Sequence, residues 1–166
     1  MLEFIKLTPT AKIPAYAFFG DAGFDFFADE TVTLQPGETK AISTGVVSLI
    51  QESDLEIQIR SRSGLALKHQ VIVLNAPGTI DSGYRGEIKI ILTNFGKQDY
   101  VVNQGDRIAQ GVLNTVINNI ALKEVKADFL NTTSRGAQGF GSTGVSSKGI
   151  IPSPDSKIVF GEELDD

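Results

Sequence analysis

The chain has 166 residues, 41% of them hydrophobic, with 15 basic and 20 acidic side chains and a net charge of −5. That length supports one domain with a sizeable core, and the negative balance argues against the broad basic surface that duplex nucleic acid requires. With no cysteine and one histidine, the chain has no disulfide scaffold, thiolate metal site, Cys nucleophile or His-rich zinc site. No apolar run reaches the roughly 18 residues of a membrane span, and the N-terminus lacks a signal peptide's apolar core. The expectation is an intracellular protein, cytoplasmic with the nucleus left open, and with no membrane or nucleic-acid partner.

In chain order, short alternating or apolar runs recur: "EFIKL", "TVTL", "KAIST", "GVVSLI", "DLEIQIRS", "VIVL", "EIKIILTN", "YVV" and "IAQGVL". Their length and alternation predict strands. Between them stand turn signals such as "QPGE", "NAPG", "DSGYRG", "NFGKQD" and "NQGD", and no window carries a long helical period with caps. The fold class is all-β, a barrel or jelly roll. In "DLEIQIRS", Leu55, Ile57 and Ile59 should face the core and Glu56, Gln58 and Arg60 should face outward. The following "RSGLALK" leaves a strand end and has room for a short helix. From about Asn131 the chain turns rich in Gly, Ser, Thr and Pro. The expected organisation is a β-rich core over 1–130, a glycine-rich arm over 131–144 and a loose C-terminal extension over 145–166.

Five stretches carry groups capable of chemistry. In "DAGFDFFADE", Asp25 stands among Phe24, Phe26 and Phe27, so it is either a structural turn residue or a carboxylate held near a charge. In "SRSG", a guanidinium, a hydroxyl and a bare backbone amide meet at a strand end; Arg62, Ser63 and Gly64 fit a phosphate clamp, although such triplets are common on surfaces. In "NAPGTIDSGYRGEIK", two turn signals bracket Asp81, the only carboxylate there before Glu87. With Asn75 and Tyr84 it offers a base, an amide and a flat ring, and an Asx-type turn residue is the alternative. In "GDRIAQG", Gln110 follows a turn on a strand, and Asp106 and Arg107 read as a surface pair of little energy.

The fifth stretch, "RGAQGFGSTG", sets Arg135, Phe140, Ser142 and Thr143 among four glycines. Such a segment is costly to order and is either a linker or a closing arm. The cation and hydroxyls suit a phosphate chain, and the aromatic suits a base.

Taken in order, "AGFDF", "RSGLA", "NAPGTIDSGYRGEI", "GDRIAQ" and "RGAQGFGSTG" resemble the five motifs of the trimeric dUTPase family, and they run from Asp21 to Gly144. The resemblance implies a β jelly-roll homotrimer with its sites between subunits. It also implies hydrolysis of dUTP to dUMP and pyrophosphate, which limits uracil in DNA and supplies dUMP for dTMP synthesis. Mg²⁺ would be held mainly through the substrate phosphates and waters, without a dedicated protein metal site. Carried over by residue, Asp81 would orient the attacking water, and Asp25 and Ser63 complete the implied catalytic set, with Asp25 touching the metal through water. Asn75 and the neighbouring hairpin backbone at Thr79 and Ile80 would read uracil, and Tyr84 would lie under the deoxyribose. Arg62, Ser63 and Gly64 would clamp the phosphates with Gln110, and Lys89 joins the implied substrate contacts. Arg135, Phe140, Gly141, Ser142 and Thr143 would close over the γ-phosphate and the uracil ring.

Three local departures from the family pattern stand out: Ser61 in place of a common proline, "FDF" in place of "YDL", and Gly111 where a bulky apolar residue is usual. Two rivals accompany this reading. One is a deoxycytidine triphosphate deaminase on the same fold, with Glu87 as its base. The other is a non-catalytic jelly-roll protein.

Overall fold

The computed structural model describes residues 1–118, 120–127, 130, 133, 135–137 and 139. The chain divides into two units, Met1–Ala121 and Leu122–Asp166. In the second, the described contacts are local turns: the Leu130 amide donates to the Ala127 carbonyl at 2.9 Å and the Gly136 amide to that of Thr133 at 3.1 Å.

The first unit is all-β, as the alternation predicts. Its strands are β1 (Leu2–Lys6), β2 (Phe24–Phe27), β3 (Val32–Leu34), β4 (Thr39–Ser43), β5 (Val46–Ile50) and β6 (Leu55–Arg60). After helix α1 (Ser63–His69) come β7 (Val71–Val73), β8 (Gly78–Asp81), β9 (Lys89–Asn94), β10 (Tyr100–Val102) and β11 (Arg107–Thr115). All pair antiparallel, in four small sheets ordered β1–β5, β10–β3, β2–β11–β6–β8 and β4–β9–β7. Because most neighbours in these sheets are distant in sequence, residues far apart in the chain become cross-strand partners.

The core is aliphatic, built from fully buried Leu34, Ile42, Val46, Ile57, Ile88, Ile90, Leu92, Val102 and Ile108 around Phe26. In β6, Ile57 and Ile59 are buried and Arg60 is exposed, as their alternation predicts. Glu56 and Gln58 are half-buried instead of free, because β6 is flanked by β11 and β8, and Gln58 Nε2 donates to Glu56 Oε1 at 2.8 Å.

Two of the unusual residues explain one another. Phe24 and Phe26 lie 5.6 Å apart between ring centroids, and Phe4 meets both edge-on. A β-carbon at Gly111 would stand 2.5 Å from the Phe24 ring and 2.7 Å from the Phe26 ring, closer than any real contact. The bulk of "FDF" on β2 therefore occupies the space a side chain on β11 would take, and Gly111 is the compensating partner. Ser61 is also used: its hydroxyl accepts the Val73 amide at 2.9 Å and ties the end of β6 to β7.

Candidate active site

β8 leads Asp81 into a turn in which the Tyr84 amide donates to the Asp81 carbonyl at 3.0 Å. The turn swings Tyr84 back over the chain, and its hydroxyl donates to the Glu87 carbonyl at 3.0 Å. A β-carbon at Gly86 would stand 2.3 Å from the Tyr84 hydroxyl oxygen, so only glycine lets the ring lie there. The result is a cavity of about 450 Å³ lined by Thr79, Ile80, Asp81, Tyr84, Glu87, Ile88 and Lys89, with Ala41 and Ile91 from the adjoining sheet. Five sequence-predicted residues, Thr79, Ile80, Asp81, Tyr84 and Lys89, thus come together. Asn75 is not among the lining residues; its amide packs against Gly78 at the opposite end of β8. Glu56, which the sequence reading placed only on an outward face, is Asp81's cross-strand partner.

Glu87 has a different job from the one a deaminase would require. Its carboxylate takes the Ser43 hydroxyl and the Gly45 amide (2.9 Å) and lies 3.6 Å from Lys89 Nζ. Burial raises its pKa, but the Ser43 and Gly45 hydrogen bonds and the Lys89 charge outweigh burial and hold it below the ordinary glutamate range. Glu87 is a charged tie between the β4–β5 turn and the β8–β9 turn. Because the folded pKa is depressed, its contribution is present above the unfolded value and is lost as pH falls through the folded one. Glu87→Gln should lower stability by about 1–2 kcal/mol at pH 7. Chemical denaturation across pH should show the gap to wild type closing below about pH 4; a gap constant across pH would contradict this role.

A second group of predicted residues lies around the end of β6. Asp25 is buried, with a side chain 7% exposed, between two guanidiniums: Arg62 Nε is 3.0 Å from Oδ1 and Arg107 Nη1 is 3.0 Å from Oδ2. Of its two sequence readings, the carboxylate held by charge is the one present. The Arg62–Oδ1 contact is an ion pair without hydrogen-bond alignment, so both atoms keep hydrogen-bonding capacity. The expected Asp106–Arg107 pair does not form. Asp106 instead accepts the Asn103 amide at 2.8 Å, and Arg107 turns to Asp25 because the β11–β2 register slips between Arg107 and Ala109. A bulge of this kind re-aims a side chain in a way that alternation cannot predict.

Ser63 and Gly64 are exposed in the first turn of α1, directly after Arg62. Gln110 is an exposed residue opposite Asp25 on one side and Arg60 on the other. Among the described residues, no hydrogen bond, ion pair or cavity joins this group to the Asp81 cavity. A separate cavity of about 270 Å³, beside the His69–Tyr100 ring pair, is lined by none of the predicted site residues. Arg135 is described, in the second unit, whereas Phe140, Gly141, Ser142 and Thr143 lie outside the described residues. Among the described residues no helix is long and apolar enough to cross a membrane.

A cavity holding a carboxylate and a tyrosine, and a buried carboxylate flanked by two arginines, stand on an all-β frame, and comparison with known proteins specifies the class. The family model described as dUTPase matches residues 10–144. The deoxyuridine 5'-triphosphate nucleotidohydrolase of Wolinella succinogenes is 48% identical over 146 residues, covering 87% of this chain and 95% of that protein. The one from Crocosphaera subtropica is 51% identical over 144 residues, covering 87% and 99%. Among solved structures, the Staphylococcus bacteriophage 80alpha dUTPase with dUpNHpp superposes with a TM-score of 0.78 at 31% identity, covering 87% of this chain and 99% of that one. A dUTPase from phage phi11 of S. aureus, described with a structural Mg(II) ion, has a TM-score of 0.69 at 29% identity, covering 76% and 97%.

The chain is therefore a nucleotide hydrolase of the all-β class. It belongs to the dUTPase family, and its activity is that of a dUTP diphosphatase.

Proposed function

We propose that the chain cleaves dUTP at the α-phosphate with a water oriented by Asp81, in a site completed by a second copy of the chain. The observation that carries this reading is the separation of two half-sites. Asp81 and Tyr84 share one cavity, while Arg62, with Ser63, Gly64 and Gln110 near it, belongs to another part of the same unit. A homotrimer with sites between subunits would bring the two halves together, with Arg135 and the 131–144 arm closing the site.

In this mechanism Asp81 accepts a hydrogen bond from the attacking water and takes up its proton as the water oxygen bonds to the α-phosphorus, while the bond from that phosphorus to the α,β-bridging oxygen breaks and pyrophosphate leaves. The Arg62 guanidinium, the Ser63 hydroxyl and the Gly64 amide hold phosphate oxygens, with the Gln110 amide beside them. Chemistry of this kind needs position and charge neutralisation more than a covalent side-chain intermediate, consistent with a chain without cysteine. Ile80 and the β8 backbone face the base, Asn75 adds an amide from the turn that precedes the same strand, and Lys89 supplies a cation at the cavity wall. An intracellular location, and roles in limiting uracil in DNA and supplying dUMP for dTMP synthesis, follow from this activity.

Magnesium fits the donor set in one way. No group of three or more metal-ligating side chains exists among the described residues, but a magnesium ion that keeps its waters and binds substrate phosphates needs none. The buried Asp25 Oδ1, with unused hydrogen-bonding capacity, is the oxygen that could accept from a water of such an ion. When bound, the ion would neutralise charge on the phosphates.

Mixing two inactive variants tests the shared site. Asp81→Asn and Arg62→Ala chains, unfolded together and refolded at equal ratio, should recover about one quarter of wild-type turnover, because mixed trimers each regain one intact site. The assembly should sediment at about 53 kDa, three 17.8 kDa chains in a closed ring. No recovery in a well-formed mixed oligomer would place both residues in one subunit's site and overturn the reading.

Sugar selection gives a second test. Tyr84, held by Glu87 and Gly86, presents a fixed ring where a 2'-hydroxyl would collide. Tyr84→Ala should narrow the kcat/KM gap between UTP and dUTP by about tenfold. An unchanged ratio would remove the steric gate.

A further inference from the structure

We propose that Arg107 is a positioning residue for the hydrolysis: it holds the Arg62 guanidinium in the plane that presents it to the substrate phosphates. The inference rests on the reading of Arg62 as a phosphate clamp.

Arg62 is fixed from two sides. Its Nε faces Asp25 Oδ1 at 3.0 Å, and its Nη1 donates to the main-chain carbonyl of Arg107 at 2.8 Å. The second carboxylate oxygen of Asp25 is taken by Arg107 Nη1 at 3.0 Å. Arg107 thus acts on Arg62 twice, through its own carbonyl and through the carboxylate the two share. Arg62 Nη2 has no protein partner among the described residues and keeps two N–H donors for a ligand. Arg62 is 23% exposed at its side chain and Arg107 49%, so Arg62 is the more sheltered member and Arg107 closes the outer side of the carboxylate.

The charges make the arrangement necessary. A buried carboxylate with a single arginine forms a neutral pair that has little reason to give up cationic character to a ligand. With two guanidiniums on one carboxylate the cluster carries a net positive charge, available to a polyanion. The bulge between Arg107 and Ala109 produces this geometry, turning Arg107 toward β2 while Ile108 and Ala109 enter the core. At this bulged position the Arg107 guanidinium reaches Asp25 while its carbonyl accepts from Arg62, the residue that shares that carboxylate.

The test is a double-variant cycle read by steady-state pyrophosphate release. Arg107→Gln keeps length and polarity while removing the charge, and should lower kcat/KM for dUTP by about 10- to 100-fold, the range for a misaligned charged contact. Arg107→Lys, which restores a cation beside Asp25 and keeps the same main-chain carbonyl, should recover a large part of the loss. Because Arg107 acts through Arg62, the Arg62→Ala/Arg107→Gln double variant should be no worse than Arg62→Ala alone. If the two losses multiply, Arg107 touches the substrate itself and the positioning role is overturned. It is overturned equally if Arg107→Gln matches wild type, or if Arg107→Lys is as impaired as Arg107→Gln. If Arg62→Ala alone retains wild-type kcat/KM, the clamp reading fails first, and the failure is visible as such. Melting temperatures of the four proteins identify a variant that loses activity by unfolding, and for such a variant the affinity of the folded Arg107→Lys protein for a non-hydrolysable dUTP analogue decides: wild-type-like affinity supports the role, and affinity as low as that of Arg62→Ala overturns it.

Discussion

Asp81→Asn should lower dUTP turnover by at least about 100-fold, the usual scale for removing a positioned general base, with nucleotide affinity largely kept. The side chain is exposed at the end of β8, at the wall of the cavity that holds Tyr84, so exchanging one oxygen for an amide should leave packing intact. What disappears is the negative acceptor proposed to orient the water and take its proton, and an amide cannot accept a proton at neutral pH. The loss should therefore fall on kcat, with little change in KM when chemistry is slow relative to substrate release. Single-turnover hydrolysis and analogue binding by calorimetry, measured side by side, check both halves. A variant that turns over dUTP near the wild-type rate would return Asp81 to the role of a turn residue, the alternative its "DSG" context allowed.

Truncation after Ser134 should be almost as damaging to turnover and nearly silent in stability. All eleven described strands end by Thr115, and among the described residues every member of the buried core precedes Gln110. Removing Arg135 onward takes away none of these described core side chains, so the melting temperature should move by no more than a few degrees for a domain of this size. The deleted "RGAQGFGSTG" carries the arginine, the two hydroxyls and the phenylalanine that would close over the γ-phosphate and the base. Without them the bound triphosphate stays open to water and less well aligned, and turnover should fall by about 100-fold or more. Preserved stability with lost activity supports a closing arm. Preserved activity would make the segment a linker, and a large fall in melting temperature would make it part of the folded core.

The motif residues differ in how far sequence alone could place them. Thr79, Ile80, Asp81 and Tyr84 come within one six-residue stretch, so one strand and one turn suffice to gather them. Local rules of alternation and turn chemistry govern such a stretch, and the structure sets all four at one cavity. Arg107 is the opposite case. Its neighbour Asp106 made a surface pair the natural expectation, yet Arg107 reaches Asp25, 82 positions earlier in the chain, because of a register slip. Nothing in the local pattern announces a bulge between Arg107 and Ala109. A usable signal did exist: a carboxylate among phenylalanines needs a cation, and only long-range pairing could supply one.

The sequence by itself determined the all-β class, nine of the eleven described strands (β2 and β8 are not among the runs it marks), the order of the five motifs and the chemical groups available for catalysis, because period-two alternation, turn residues and residue type are local properties of the chain. Only the tertiary structure decided which distant groups meet. The pairing of β2 with β11 set Phe24 and Phe26 against Gly111, so that an isolated oddity in each strand became one packed unit. The same pairing, through its bulge, put two guanidiniums on Asp25. Tertiary structure also turned Glu87 from a candidate base into a structural anion, by folding the Ser43 hydroxyl and the Gly45 amide onto it. These outcomes depend on register between strands remote in sequence, and register is chosen by the packing of the whole barrel and not by any one segment.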